Sequence, residues 1–139
     1  MTQNNLLLID LCARLPYGVM LKHISTEKPF KLFSIKRNEY TSYKKDGVEL
    51  AVNGIYYDWF VNDTYHDIEL YIKPYLRPMS SMTEEEREEY EHIALGIEIE
   101  NGVRIPNVNQ IDWLNKKMFD YRGLIPKGLA LPAPKEMYK

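Results

Sequence analysis

Two Asx-Gly pairs, Asp46-Gly47 and Asn53-Gly54, bracket a run in which Val48, Leu50 and Val52 alternate with Glu49 and Ala51. Such pairs supply the positive backbone angles of two-residue hairpin turns, and alternation with period two is what a half-buried strand requires. The pattern predicts antiparallel sheet through the middle of the chain, with strands at about 19–24, 30–36, 47–52, 55–61 and 67–72. In the last of these Ile68, Leu70 and Ile72 point one way and Asp67, Glu69 and Tyr71 the other. Pro74 and Pro78 lack the N–H of a sheet ladder and are expected to stop the pairing. Short strands joined by short turns suit an α+β protein with a small antiparallel SH3-like barrel or curled sheet. The chain offers no helix long enough to cross over between parallel strands, which supports an all-antiparallel arrangement.

Helices are expected on either side of the sheet. Leu7, Leu8, Leu11, Cys12 and Leu15 recur at helical spacing and Pro16 blocks continuation, giving a helix over about 5–15. Thr83 followed by Glu86 is a capping box, with Glu84 and Glu85 at the positive end of the helix dipole. In this second helix Tyr90, Ile93, Ala94 and Ile97 form one stripe and Gly96 offers an exit. Residues 97–105 suggest a small hairpin around Asn101-Gly102. A third helix is expected from about Asn109 to Asp120, burying Ile111, Leu114 and Met118 with Trp113 beside them, and ending at Gly123. Beyond it, Pro126, Gly128, Pro132 and Pro134 favour an extended segment, which must lie on the body to hide Leu124, Ile125, Leu129 and Leu131. A chain of 139 residues can build one sizeable core, so a single domain over 1–139 is expected. It comprises a β part over 18–73, and a helical part with the extended segment over 83–139. Residues 74–82 form the one candidate boundary.

Charge is nearly balanced, with 18 Lys and Arg against 20 Asp and Glu, which argues against a disordered tail and a bulk polycation. The balance conceals segregation. Residues 83–102 hold eight acidic side chains and one basic, whereas residues 1–47 hold eight basic and four acidic. The acidic run reads as the solvated face of the second helix. The apolar run Leu6–Ile9 falls far short of the ~20 residues needed to cross a bilayer, and Met1 to Asn5 carries no Lys or Arg to begin a secretory signal. A cytoplasmic location without a membrane partner is the expectation.

Few residues invite chemistry. His23, His66 and His92 have no His-x-His or His-x-x-x-His spacing, and Cys12 is the single cysteine, so neither a metal site nor a disulfide is expected. Cys12 on an apolar stripe reads as buried packing. Ser80 and Ser81 lack a glycine elbow and read as helix-entry residues, and the glycines nowhere cluster as a phosphate loop demands. The expectation is therefore no catalytic residue, no cofactor and no metal.

Two patterns point instead to binding. Lys22, Lys28, Lys31, Lys36, Arg37, Lys44 and Lys45 interleave with Phe30, Phe33, Tyr40 and Tyr43, a mixture that can track phosphates while rings stack on bases. Eleven tyrosines and two tryptophans suit a protein interface, since these side chains bury large area and keep a polar handle. The candidate surface for a partner is Lys22, Lys31, Lys36, Arg37, Tyr40, Tyr43, Lys44 and Lys45.

The stretch Ile72-Lys73-Pro74-Tyr75-Leu76-Arg77-Pro78-Met79-Ser80-Ser81-Met82-Thr83-Glu84-Glu85-Glu86 is similar to an uncharacterised family of small prophage and mobile-element proteins of gut bacteria. So are residues 11–19, 112–115, 119–125 and 128–131. The resemblance implies a phage-related origin in a bacterial cytoplasm and brings no activity or cofactor with it. Together these readings lead to a non-catalytic protein-interaction or assembly module, with nucleic-acid binding by a small β-barrel as the alternative.

Overall fold

The computed structural model describes residues 3–23, 28–40, 45–52, 55–60, 72–93, 99–100, 103–104 and 107–138. Helix α1 (Gln3–Arg14) runs into a single 3-10 turn at Leu15–Tyr17, whose start accommodates Pro16 because a first turn needs no N–H there. Gly18, at φ 77°, ends the turn. Leu7, Asp10, Leu11 and Arg14 share one side of α1 and all are buried. Cys12, expected among the buried residues, is exposed. It lies about 140° around the helix from Leu7 at 3.6 residues per turn.

The strands are β1 (Met20–His23), β2 (Phe30–Tyr40), β3 (Lys45–Val52), β4 (Ile55–Phe60) and β5 (Ile72–Leu76). A separate two-stranded hairpin, β6 (Ile99–Glu100) with β7 (Val103–Arg104), stands where residues 97–105 suggested one. A short β8 (Leu131–Pro132) completes the main sheet, whose order is β4-β3-β2-β1-β5-β8. The fold is thus α+β with three helices, as expected, but its sheet is open and mixed rather than an antiparallel barrel. β5 and β8 run parallel, with Tyr75 opposite Leu131. The crossover between them is supplied jointly by the helices and hairpin of residues 77–130, a solution that counting single long helices overlooks.

One turn expectation also changes. Asp46-Gly47 lies inside β3, paired with Glu39 and Asn38. Asn53-Gly54 lies outside the described residues, as do 67–71 of the expected last strand, although Val52 pairs with Ile55 across the former. Pro74 sits within β5 opposite Leu21. The Leu76 carbonyl accepts from Ala133 N–H at 2.8 Å, so Pro74, two residues earlier, directs its missing N–H to the same β8 side, ahead of where β8 begins pairing.

Helix α2 (Glu84–Ile93) has the expected capping box: Glu86 N–H donates to Thr83 Oγ1 and Thr83 N–H to Glu86 Oε1. Glu84, Glu85, Glu88, Glu89 and Glu91 are exposed. Helix α3 (Val108–Lys116) begins with a second capping box, Asn107 with Gln110. Both side chains also reach α2: Asn107 donates to the Ile93 carbonyl and Gln110 to that of Tyr90, so one helix start satisfies the other's last carbonyls. α3 ends short of Asp120 because Met118 takes the left-handed conformation, φ 63°. Its N–H bonds the Asn115 carbonyl and that of Phe119 the Leu114 carbonyl, a Schellman ending made without glycine.

The principal core joins Leu7 and Leu11 of α1 to Leu21, Leu32, Ile72 and Leu76 of the sheet and to Met118, Leu124 and Leu129. Each fully buried leucine contributes about 1.5–3 kcal/mol. Trp113, Leu114 and Phe119 form a second cluster, under Tyr90 and Ile93 of α2. The segment after Gly123 covers its own chain, burying Leu124, Leu129 and Ala130, and is a series of turns around β8 rather than an extended arm.

Candidate binding surface

Strand alternation and register divide β1, β5 and the first half of β2 into two faces. Leu21, Leu32, Ile72 and Leu76 enter the core; Lys22 and Lys31 are exposed on the other side, and Lys73 and Tyr75 are half-buried there. Lys22 stands directly opposite Lys73, and Lys31 opposite Met20. At these positions the outer face presents three lysines and no carboxylate. A like-charged pair directly across a ladder is unfavourable by a few tenths of a kcal/mol up to about 1 kcal/mol.

An exposed aromatic ring stands at a bulge on the same face. Leu32 pairs with Val52 and Ser34 with Ala51, which leaves Phe33 as the extra residue. Leu32 is buried, Phe33 and Ser34 are both exposed, and Ile35 returns against the core. Phe33 points outward by ordinary alternation from Leu32, at 62% exposure, and the inserted residue shifts the alternation after it, putting Ser34 outward and Ile35 inward. The Lys31 stem passes close over Gly18: its Cε lies 2.7 Å from where a Cβ on Gly18 would stand. A side chain at Gly18 would collide with this stem and strain the positive φ.

Tyr138 packs against the principal core and ties two of these strands together. Its hydroxyl accepts the Met20 N–H (2.9 Å) and donates to the Tyr75 carbonyl (2.7 Å), bridging β1 and β5 just where their direct pairing stops. Burial pushes its pKa up to about 12.

The charged groups of the interior hold the fold. Arg14 Nε donates to Asp10 Oδ2 (2.8 Å) and Arg14 Nη2 to the Phe119 carbonyl (2.7 Å), with both side chains fully buried. Arg122 donates to Asp10 Oδ1 at 3.2 Å, and the two guanidinium groups lie 5.4 and 4.7 Å from the Tyr121 ring centroid. Asp120 accepts the N–H groups of Leu124 and Ile125. Arg77 grips Glu86 with two hydrogen bonds, 2.7 and 2.6 Å, and stacks 4.1 Å from the Phe119 centroid. That grip holds the Glu86 carboxyl down at about 2. A cavity of about 540 Å³ lies beside the pair, bordered by Ser81, Lys117, Lys135 and Tyr138.

Of the residues singled out in the sequence, Lys22 and Lys31 come together on the outer face. Lys36, Arg37 and Tyr40 continue along β2 and Lys45 opens β3 opposite Tyr40, while Tyr43 and Lys44 lie outside the described residues, as does His66. Lys73 was missed; its signal was the Lys-Pro step at the end of an alternating run. Desolvation raises the pKa of Cys12, opposite to what an activated thiol needs. Ser81 Oγ donates to the Pro78 carbonyl, a helix-entry contact as expected. Among the described residues no group of His, Cys, Asp and Glu has metal-binding geometry, and no helix is long and apolar enough to cross a membrane. No family model matches the chain, and neither a curated protein nor a solved structure matches it.

Proposed function

We propose that this chain is a non-catalytic binding module whose working face is the outer side of the sheet around Lys22, Lys31, Phe33 and Lys73. The observation that carries the reading is the juxtaposition of Lys22 and Lys73 across the ladder, on the same face as Lys31 and the exposed ring of Phe33. A fold that keeps a repulsive pair and an exposed ring on one face breaks two local rules on that face, and such departures tend to be functional. Binding rather than catalysis is supported by the employment of the interior charges: Asp10, Arg14, Arg122 and Asp120 are all engaged in holding one another or the backbone. The three lysines favour an anionic partner over the neutral protein contact that the tyrosine content alone suggests. A prophage or mobile-element origin and action in a bacterial cytoplasm belong to the same reading, supported by the resemblance of residues 72–86.

The test is a screen of the purified chain against arrayed acidic and neutral peptides and single- and double-stranded oligonucleotides, beside a Lys22→Gln/Lys73→Gln variant. At least one class must be retained by the native chain and released by the variant. Ligands indifferent to the double substitution, or none at low ionic strength, defeat the reading.

A further inference from the structure

Resting on that reading, we infer that the occupant of the outer sheet face is a single-stranded nucleic acid, its phosphates neutralised by Lys22, Lys31 and Lys73 and one base stacked on Phe33. Three observations separate this from an acidic protein. Protein interfaces deplete lysine and gather contiguous apolar area. Here a single exposed ring stands two residues from Lys31 on one face, Lys22 and Lys73 continue along that face, and Met20 and Tyr75 between them are half-buried. Next, Phe33 points away from the core at 62% exposure and the bulge leaves Ser34 exposed beside it, so the ring is accessible. Such a platform accepts any unpaired base through its π-face, whereas a duplex keeps its bases stacked inside. Third, the lysine charges are spread over three adjacent strands in the order β2, β1, β5, with Lys31 passing close over Gly18. A line of cations across strands suits a backbone of evenly repeated charge better than the scattered carboxylates of a protein surface.

The experiment titrates the full chain with fluorescent oligothymidine, the matching duplex and a poly-glutamate peptide at several salt concentrations. Three neutralised phosphates give a slope of log affinity against log salt of about −2 for a single strand, a loss of roughly twentyfold between about 50 and 200 mM. Each of Lys22→Gln, Lys31→Gln and Lys73→Gln should flatten the slope by about 0.7. Phe33→Ala should weaken binding roughly fivefold to more than a hundredfold with the slope unchanged, and Phe33→Trp should restore it. All these positions are on the outer face, and thermal melting shows directly that each variant is folded. Duplex binding as tight as single-strand binding, or indifference to Phe33→Ala, overturns the inference. If poly-glutamate binds through Lys22 and Lys73 and the oligonucleotide does not, the inference fails while the binding face stands; if neither binds, both fail. Salt-sensitive self-association that removes the face from all three probes would identify a second copy as the occupant and likewise overturn it.

Discussion

The hydroxyl of Tyr138 takes the place of a direct bond between Met20 and Tyr75, accepting from one and donating to the other across 2.9 and 2.7 Å. Tyr138→Phe leaves both backbone groups without that partner and should cost about 1–3 kcal/mol in denaturant unfolding. The folded-state pKa, about 12, lies above the ordinary value of 10.0, so the folded chain holds this proton more tightly than the unfolded one. Its contribution is complete below about pH 10 and is lost as pH rises towards about 12. The alkaline limb of the stability profile should therefore flatten in Tyr138→Phe. An unchanged limb would remove the assignment.

Arg14→Met should destabilise the fold by about 3–5 kcal/mol, because Asp10 is left charged in the core and the Phe119 carbonyl loses its donor. The double variant Asp10→Leu/Arg14→Met should recover much of that loss, since half-exposed Arg122 can turn to water. Chemical denaturation of the single and double variants checks the pair; a double variant as weak as Arg14→Met would contradict the account.

Glu86 titrates in the acid range. Its pKa of about 2 lies below the ordinary 4.5, chiefly through the Arg77 hydrogen bonds. The stabilisation is present above about pH 4.5 and disappears as pH falls to about 2. Glu86→Gln should melt lower than the native chain at neutral pH, and the two melting temperatures should converge across that window.

Removing the chain after Gly123 takes Leu124, Leu129 and Ala130 out of the principal core. The expected product is aggregated, as judged by light scattering after purification. A soluble monomer with native helical content would show that this segment is dispensable as a cover.

Lys73→Glu converts a repulsive cross-strand pair into an attractive one and should raise stability by about 0.2–1 kcal/mol. The same substitution should abolish salt-dependent binding to the anionic probe. A gain in stability without a loss of binding would detach the lysine pair from the proposed face.

Local chemistry was legible in the sequence and distant geometry was not. Thr83 and Glu86 announce α2 because a capping box is written within four residues. The Asn107–Gln110 box is equally local but uses amides, which also gave it reach to the carbonyls of Tyr90 and Ile93. Counting apolar residues along α1 selected Cys12 and passed over Asp10 and Arg14, because the groups that neutralise this pair come from residues 119–122. Pro74 looked like a strand breaker, and only the direction of its absent N–H makes it acceptable. Met118 gives no residue-type signal for its left-handed backbone. At the candidate face, Lys22, Lys31 and Phe33 were visible as a composition; their assembly with Lys73 depends on the registers of β1 with β2 and with β5.

The parallel docking of β8 on β5 also bears on the order of events during folding. Tyr138 lies 118 positions beyond Met20, so the bridge across the β1–β5 junction closes one of the largest loops among the described residues. Loop-closure entropy delays such contacts until local pieces have formed. While a nascent chain still lacks this segment, the meander β1–β4 can pair within itself, but β5 has neither β8 along its flank nor the hydroxyl at its junction with β1, making the final turns the step that commits the chain to its native state.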